Sequence, residues 1–238
     1  MTARRLGILG GTFDPIHCGH VDAARAAESA LRLTEVVVIP SSVPPHRPQP
    51  LASSYHRFAM VALAIARHAR WRASDMELRE SGVSFTASTL DRLRAEGYAA
   101  TELFFIVGAD AFDEIESWRD YPAILDRAHF AVVSRAGVIA SEAPRRLPAL
   151  ASRMVVADGA APSSLQTTSI FLIDAPTADV SSTAIRSRRG ARLSIAGLVS
   201  DDVQQYIDRH GLYTEAAPDA NDDRVRTNVA AGRLHEQN

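Results

Sequence analysis

The chain of 238 residues carries 26 basic and 28 acidic side chains, so its formal net charge at pH 7 is only -2. This balance excludes a general basic surface for nucleic acid and an acidic interaction tail. All 26 basic side chains are arginine, which excludes the chemistries that need a lysine in a P-loop, a Schiff base or a kinase site.

Cysteine content and hydropathy indicate the compartment. The lone Cys18 cannot form an internal disulfide, as expected of a protein in a reducing cytoplasm. No apolar run approaches the ~18 residues of a membrane span, and the N-terminus leads directly into a predicted strand without a signal peptide. We therefore expect a cytoplasmic protein with no membrane contact and no nucleic-acid partner. The composition is compatible with a homo-oligomer.

Apolar runs rich in β-branched residues alternate with helical patterns along the chain. Strands are predicted at Leu6–Leu9, Glu35–Pro40, Arg72–Glu80, Leu103–Val107, Phe130–Val133, Met154–Val156 and Ile170–Ile173. Helices are predicted at Gly19–Leu33, Tyr55–Arg70, Thr86–Glu96, Asp110–Glu116, Tyr121–Ala128, Ser182–Arg189 and Asp201–Arg209. Continuous apolar strands alternating with helices indicate a doubly wound, Rossmann-like α/β fold, with a parallel sheet covered by helices on both faces.

This alternation predicts a single domain over residues 1–214. Within it, Ala136–Leu150 contains two prolines and several charged residues, which is typical of a connecting loop. The segment Glu215–Asn238 is polar, charged and alanine-rich and has no aromatic residue, which predicts a disordered C-terminal tail.

The most informative segment is Gly11–His20, directly after the first predicted strand. A strand that turns into a helix leaves free backbone N–H groups at the helix start, where the helix dipole adds partial positive charge. His17 and His20 add side-chain donors to this predicted anion site. Asp14 and Pro15 are also typical of a helix entry, with the aspartate as cap and the proline in the first turn.

Four segments carry a family resemblance. The segment Gly11–His20 resembles the signature of the nucleotidyltransferase superfamily with the His-x-Gly-His motif, and its longer form from Gly10 is similar to bacterial nicotinate mononucleotide adenylyltransferases. Three further segments agree with that family in order and spacing, namely Pro44–Arg47, Gly108–Asp110 followed by Trp118, and Val180–Arg186. Together they extend the resemblance over nearly the whole predicted domain.

The resemblance implies transfer of AMP from ATP to nicotinate mononucleotide, giving deamido-NAD and pyrophosphate in NAD biosynthesis. His17 and His20 would then be catalytic, stabilising charge on the α-phosphate as pyrophosphate leaves. The implied ATP-binding residues are Gly10, Gly11, Thr12, Phe13, His17, Gly19, His20, Gly108, Asp110, Ser181, Ser182, Thr183 and Arg186. Helix capping alone would also account for the hydroxyls of Ser181, Ser182 and Thr183.

The same resemblance implies four contacts to the acceptor nucleotide. His46 and Arg47 would face its phosphate, Trp118 would stack on its pyridine ring, and Thr86 would contact its nicotinate end. Trp118 is equally typical of a core aromatic residue, and Thr86 of a helix N-cap. The family often has an aspartate where this chain has Ala87-Ser88, which affects the expected details of the acceptor pocket but not the reaction.

No metal site formed by protein groups alone is predicted. The spacing of His17 and His20 would suit zinc, but no distant cysteine or other third ligand accompanies them. We expect Mg²⁺ held mainly by the ATP phosphates and water. Three alternatives remain: the same chemistry on nicotinamide mononucleotide, the same chemistry on phosphopantetheine, and a nucleotide-binding protein without catalytic activity.

Overall fold

The computed structural model describes residues 4–43, 49–79, 82–135, 137–157 and 166–214. The predicted tail Glu215–Asn238 lies outside these described residues. So do His46 and Arg47, the two predicted contacts to the acceptor phosphate.

Seven parallel strands form one sheet, which confirms the predicted Rossmann-like class. The strands are β1 (Leu6–Gly11), β2 (Glu35–Pro40), β3 (Trp71–Ala73), β4 (Leu103–Gly108), β5 (His129–Val133), β6 (Met154–Val156) and β7 (Ile170–Ile173). Their order in the sheet is β3-β2-β1-β4-β5-β7-β6. The order reverses between β1 and β4, and in such sheets ligands bind at the carboxyl ends of the strands flanking this switch point.

Seven α-helices accompany the strands within the described ranges. They are α1 (Cys18–Leu31), α2 (Ser54–Ile65), α3 (Thr86–Ala95), α4 (Ala109–Phe112), α5 (Ala143–Arg146), α6 (Ser182–Gly190) and α7 (Asp201–Arg209). Short 3-10 helices lie at Ala100–Glu102, Ile115–Ser117, Ala123–Asp126, Ala140–Glu142 and Pro148–Arg153. None of the helices in this part of the chain is long and apolar enough to cross a bilayer.

The core has two layers, one on each face of the sheet. Side chains alternate along the strands, so that in β1 Leu9 faces one layer while Leu6 and Ile8 face the other. The first layer is completed by α1, α2, α6 and α7, and the second by α3, α4 and α5. Burial on both faces accounts for the continuous apolar runs of the strands.

Five predicted segments differ from the structure, and one of them is the helix predicted at Tyr55–Arg70, which ends at Ile65. The strand predicted at Arg72–Glu80 ends at Ala73, because Asp75 starts a turn in which Leu78 donates to its carbonyl. The helices predicted at Asp110–Glu116 and Tyr121–Ala128 are a single turn, α4, and two 3-10 helices. The loop predicted at Ala136–Leu150 contains α5, since Ala140 and Ala143 are buried in the second layer.

Burial of a histidine in this core generates a stability prediction. His129 is fully buried between Phe104 and Phe171, and its Nδ1 accepts a hydrogen bond from the Ser169 amide. Burial lowers the pKa of His129 from 6.5 to about 4. The neutral ring is therefore the form that the folded protein prefers.

Between pH 6.5 and about 4 the unfolded chain binds more protons at this position than the folded chain. The free energy of unfolding should therefore decrease as the pH is lowered from 6.5 to about 4, by about 3 kcal/mol in total from His129. His129→Asn removes the titration and keeps an acceptor, so urea titrations should show a shallower pH dependence. His210→Asn, at an exposed position, controls for loss of one imidazole. Identical slopes for wild type and His129→Asn would contradict the prediction.

Candidate active site

A cavity of about 360 Å³ opens at the carboxyl ends of β1 and β4, at the switch point of the sheet. Predicted nucleotide contacts line one part of it, namely Gly10, Gly11, Thr12, Phe13, Gly19, His20, Gly108, Asp110 and Ser182. Predicted acceptor contacts Thr86 and Trp118 line the same cavity. Segments far apart in sequence are thus brought together around one space.

The start of α1 places His20 against this cavity. His20 Nδ1 accepts a hydrogen bond from the His17 amide at 3.3 Å, so Nε2 is the ring nitrogen that carries the proton in the neutral form. The edge of the Phe13 ring meets the His20 ring at a centroid distance of 5.0 Å. His20 is therefore a donor whose ring is oriented by the backbone and by Phe13.

His17 lies behind His20 instead of lining the cavity. Its ring is 3% exposed and stacks on the His20 ring at a centroid distance of 3.7 Å. Burial, and then the positive charge of Arg135, lowers the pKa of His17 to about 4, so the ring is neutral at neutral pH. A Cβ at Gly19 would stand 2.9 Å from the Ala178 carbonyl and 3.3 Å from His17 Nδ1, which explains the glycine between the histidines.

The start of α6 joins the same site. Ser181 is the N-cap of α6 and accepts a hydrogen bond from the Ala184 amide, so capping accounts for its hydroxyl. Ser182 lines the cavity and donates to the Pro15 carbonyl at 2.9 Å. Arg186 donates to Thr183 Oγ1 and to the Asp14 carbonyl. Two helix starts, those of α1 and α6, therefore meet at this end of the cavity.

Asp14 differs from its predicted role as a helix cap. The α1 helix begins at Cys18 with His17 at the N-cap, so Asp14 stands three residues too early to cap it. Its carboxylate accepts hydrogen bonds from the Leu51 and Ala52 amides instead. The helix-entry interpretation of Asp14 is wrong.

Gly108 and Asp110 form the wall beyond β4. A Cβ at Gly108 would stand 2.5 Å from Asp110 Oδ1 and 2.6 Å from Arg135 Cδ, so a side chain at this position would displace both residues. Both Asp110 and Arg135 line the cavity. Arg135 is a site residue that the sequence interpretation missed, although it lies just beyond the carboxyl end of β5, where cavity residues are expected.

The acceptor end is built around the start of α3. Phe85 occupies the N-cap position without a side-chain hydrogen bond, so the alternative in which Thr86 is the N-cap is wrong. Trp118 packs edge-on against Phe105 while also lining the cavity, so it is both a core contact and a wall of the site. The guanidinium of Arg119 lies 4.6 Å from the centroid of the Phe85 ring.

Glu77 is a second cavity residue that sequence patterns did not indicate. It accepts a hydrogen bond from Thr89, and burial raises the pKa of its carboxyl group. It comes from the turn after β3, where no local motif marks it. Across the described ranges, no group of three or more His, Cys, Asp or Glu side chains is arranged to hold a metal ion.

Known proteins with similar sequences or structures indicate the class to which this protein belongs. A model of the cytidylyltransferase-like family matches residues 8–188. Among solved structures, the Plasmodium falciparum nicotinic acid mononucleotide adenylyltransferase complexed with NaAD superposes with a TM-score of 0.67. It is 19% identical in sequence, and the match covers 90% of this chain and 98% of that one. This likeness supports the fold.

Closer relatives identify the particular family. The probable nicotinate-nucleotide adenylyltransferase of Serratia proteamaculans is 37% identical over 206 residues, covering 87% of this chain and 94% of the relative. The corresponding protein of Pseudomonas fluorescens is 38% identical over 210 residues, covering 88% and 97%. The chain belongs to the nicotinate-nucleotide adenylyltransferase family.

The crowding at Gly108 generates a test of the nucleotide end. Gly108→Ala should displace Asp110 and Arg135 and weaken ATP binding roughly tenfold, which corresponds to about 1.4 kcal/mol. Gly7→Ala is the control for lost stability, because its Cβ would crowd Leu33 in the core at 2.6 Å and Gly7 itself does not line the cavity. Calorimetry should give a higher Kd for ATP in Gly108→Ala and an unchanged Kd in Gly7→Ala. Equal Kd values would show that the cavity tolerates the methyl group.

Proposed function

We propose that this protein transfers AMP from ATP to nicotinate mononucleotide, giving deamido-NAD and pyrophosphate in NAD biosynthesis. One observation carries the proposal: a single cavity joins the glycine and histidine turn to the end formed by Thr86 and Trp118. Such a cavity suits two nucleotides held with their phosphates together. The names of the relatives, with 37–39% identity over most of the chain, support the same reaction.

The reaction is a single in-line displacement. A phosphate oxygen of nicotinate mononucleotide attacks the α-phosphorus of ATP, forming a new P–O bond. The bond from the α-phosphorus to the oxygen bridging to the β-phosphate breaks, and pyrophosphate leaves with that electron pair. No covalent enzyme intermediate is needed, so the protein contributes position and charge stabilisation.

We propose that His20 donates to the α-phosphate of ATP. Its Nδ1 accepts a hydrogen bond from the His17 amide, so Nε2 carries the proton and is the nitrogen that would donate to a phosphate oxygen. His17 supports this ring by stacking on it from the buried side. Ser182 and the start of α6 lie at the same end of the cavity, where they suit the β- and γ-phosphates.

The donor set fits Mg²⁺ bound mainly through the nucleotide. Asp110 is a carboxylate at the wall of the nucleotide end, and the described residues hold no cluster that would bind the ion alone. We propose that the ATP phosphates and water supply most ligands. When bound, the ion neutralises charge on the phosphates. A cytoplasmic location is part of the same proposal, supported by the single cysteine of the chain.

Removal of either histidine should affect the chemical step. His20→Ala is expected to lower kcat by ~10²-fold or more, as is typical when a preorganised donor is lost. His17→Ala should also lower kcat, because His20 loses the ring that stacks on it. ATP affinity should fall much less, because the helix starts and glycine turn remain. Steady-state pyrophosphate release and ATP calorimetry measure the two effects. Near-normal kcat in either variant would contradict its assigned role.

The acceptor end should prefer the acid form of the pyridine nucleotide. Charge-assisted hydrogen bonds from backbone N–H groups at the start of α3 favour a carboxylate over a carboxamide. A difference of ~2 kcal/mol predicts roughly 30-fold higher kcat/KM for nicotinate than for nicotinamide mononucleotide. Trp118→Ala should raise KM for the mononucleotide and leave KM for ATP nearly unchanged.

Pyrophosphate release with each acceptor in turn measures this preference. Equal kcat/KM for acid and amide would contradict the specificity while leaving adenylyl transfer intact. Turnover with phosphopantetheine alone would overturn the proposed function itself, and so would the absence of turnover with every acceptor.

A further inference from the structure

The loop Thr12–Ile16, between β1 and α1, has an unusual backbone for its position in the site. Thr12 and Phe13 line the cavity, yet the loop lies in neither a strand nor a helix. Phe13 has a φ of 51°, in the left-handed region that non-glycine residues rarely adopt. Such a conformation persists only where surrounding groups hold it.

Side chains from other elements hold the carbonyl groups of this loop. Three bonds do so: Arg57 to the Thr12 carbonyl at 2.6 Å, Arg186 to the Asp14 carbonyl at 2.8 Å, and Ser182 to the Pro15 carbonyl at 2.9 Å. Arg57 is 1% exposed and also donates to the Ser41 carbonyl at 2.7 Å. The loop shape is thus imposed from α2 and α6.

The Asp14 side chain anchors the loop from the other direction. Its Oδ2 accepts from the Leu51 amide at 2.9 Å, and its Oδ1 accepts from the Ala52 amide at 3.0 Å. The Tyr213 hydroxyl donates to the same Oδ1 at 2.8 Å, across 199 residues of sequence. Both Asp14 and Tyr213 are buried, at 4% and 7% exposure, so this bond is shielded from water.

Tyr213 reaches Asp14 from beyond the end of α7. Burial, and then the charge of Asp14, raises the pKa of the Tyr213 phenol, which keeps it a proton donor. Asp14 is bonded directly to Phe13, and the Phe13 ring makes an edge contact with the His20 ring. Continuous contacts therefore connect the C-terminal side of the fold to the donor at the α-phosphate.

We propose that Tyr213 is a positioning residue for adenylyl transfer, acting through Asp14 on the loop that holds Phe13 against His20. The inference rests on the proposed function, because it concerns the same reacting site. It assigns a role in the reaction to a residue that touches neither substrate. Docking of the segment after α7 is then a condition for a fully assembled nucleotide end.

A matched pair of variants tests this role. Tyr213→Phe removes the hydroxyl and keeps the ring. Tyr206→Phe removes a hydroxyl from α7 that contacts His56 Nδ1 at 3.0 Å and does not line the cavity. Both losses should lower the melting temperature to a similar extent. Only Tyr213→Phe should lower kcat, by roughly tenfold, and weaken ATP binding a few-fold, while KM for the acceptor stays nearly constant.

A purely structural role would move stability in both variants and kcat in neither, and that result would overturn the proposal. A double-mutant cycle with Asp14→Asn adds a second readout. If Tyr213 acts through Asp14, the combined loss of kcat must be smaller than the product of the single losses. Independent, multiplicative losses would also overturn the proposal.

Failure of the proposed function gives a different pattern. If the wild-type protein releases no pyrophosphate with any acceptor, the adenylyl-transfer assignment is overturned. The proposed role of Tyr213 in positioning the loop is then tested by ATP affinity alone. Weaker binding in Tyr213→Phe than in Tyr206→Phe supports the role of Tyr213 at the nucleotide end, and equal binding overturns it.

Discussion

The site depends on how the chain passes from β1 to α1. Over these few residues the backbone must approach a polyphosphate closely, turn and present a helix start, and Phe13 accepts a left-handed conformation to do so. The turn has little regular structure to stabilise it. Hydrogen bonds from α2, from α6 and from Tyr213, which follows α7, supply that stabilisation instead. The shape of the site therefore depends on contacts from elements outside the turn.

The sheet provides the rigid frame on which the elements around the site are held. Reversal of the strand order between β1 and β4 opens a crevice at their carboxyl ends, and burial of both faces fixes the strands that flank it. The histidines use this frame differently. His20 faces the cavity, whereas His17 is buried and neutral behind it and orients its neighbour. Of the two histidines of this motif, His20 lines the cavity and His17 supports the His20 ring.

Most of the sheet and the nucleotide end could be predicted from sequence, because strand periodicity and the Gly11–His20 segment are local signals. The roles of Asp14 and Tyr213 could not, since their bond spans 199 residues and no local pattern marks it. Arg57 left a partial signal. It shares the buried face of α2 with Met60 and Val61, three and four residues on, and a charged residue on an apolar stripe indicates a buried partner. Arg135 follows from the strand-end rule once the topology is known.

Direct adenylyl transfer requires that one cavity bring the two nucleotides together. The most direct measurement is product analysis of the wild-type protein incubated with ATP, Mg²⁺ and nicotinate mononucleotide. One deamido-NAD and one pyrophosphate should form for each ATP consumed. Formation of ADP and inorganic phosphate, or ATP consumption that does not depend on the mononucleotide, would contradict this expectation.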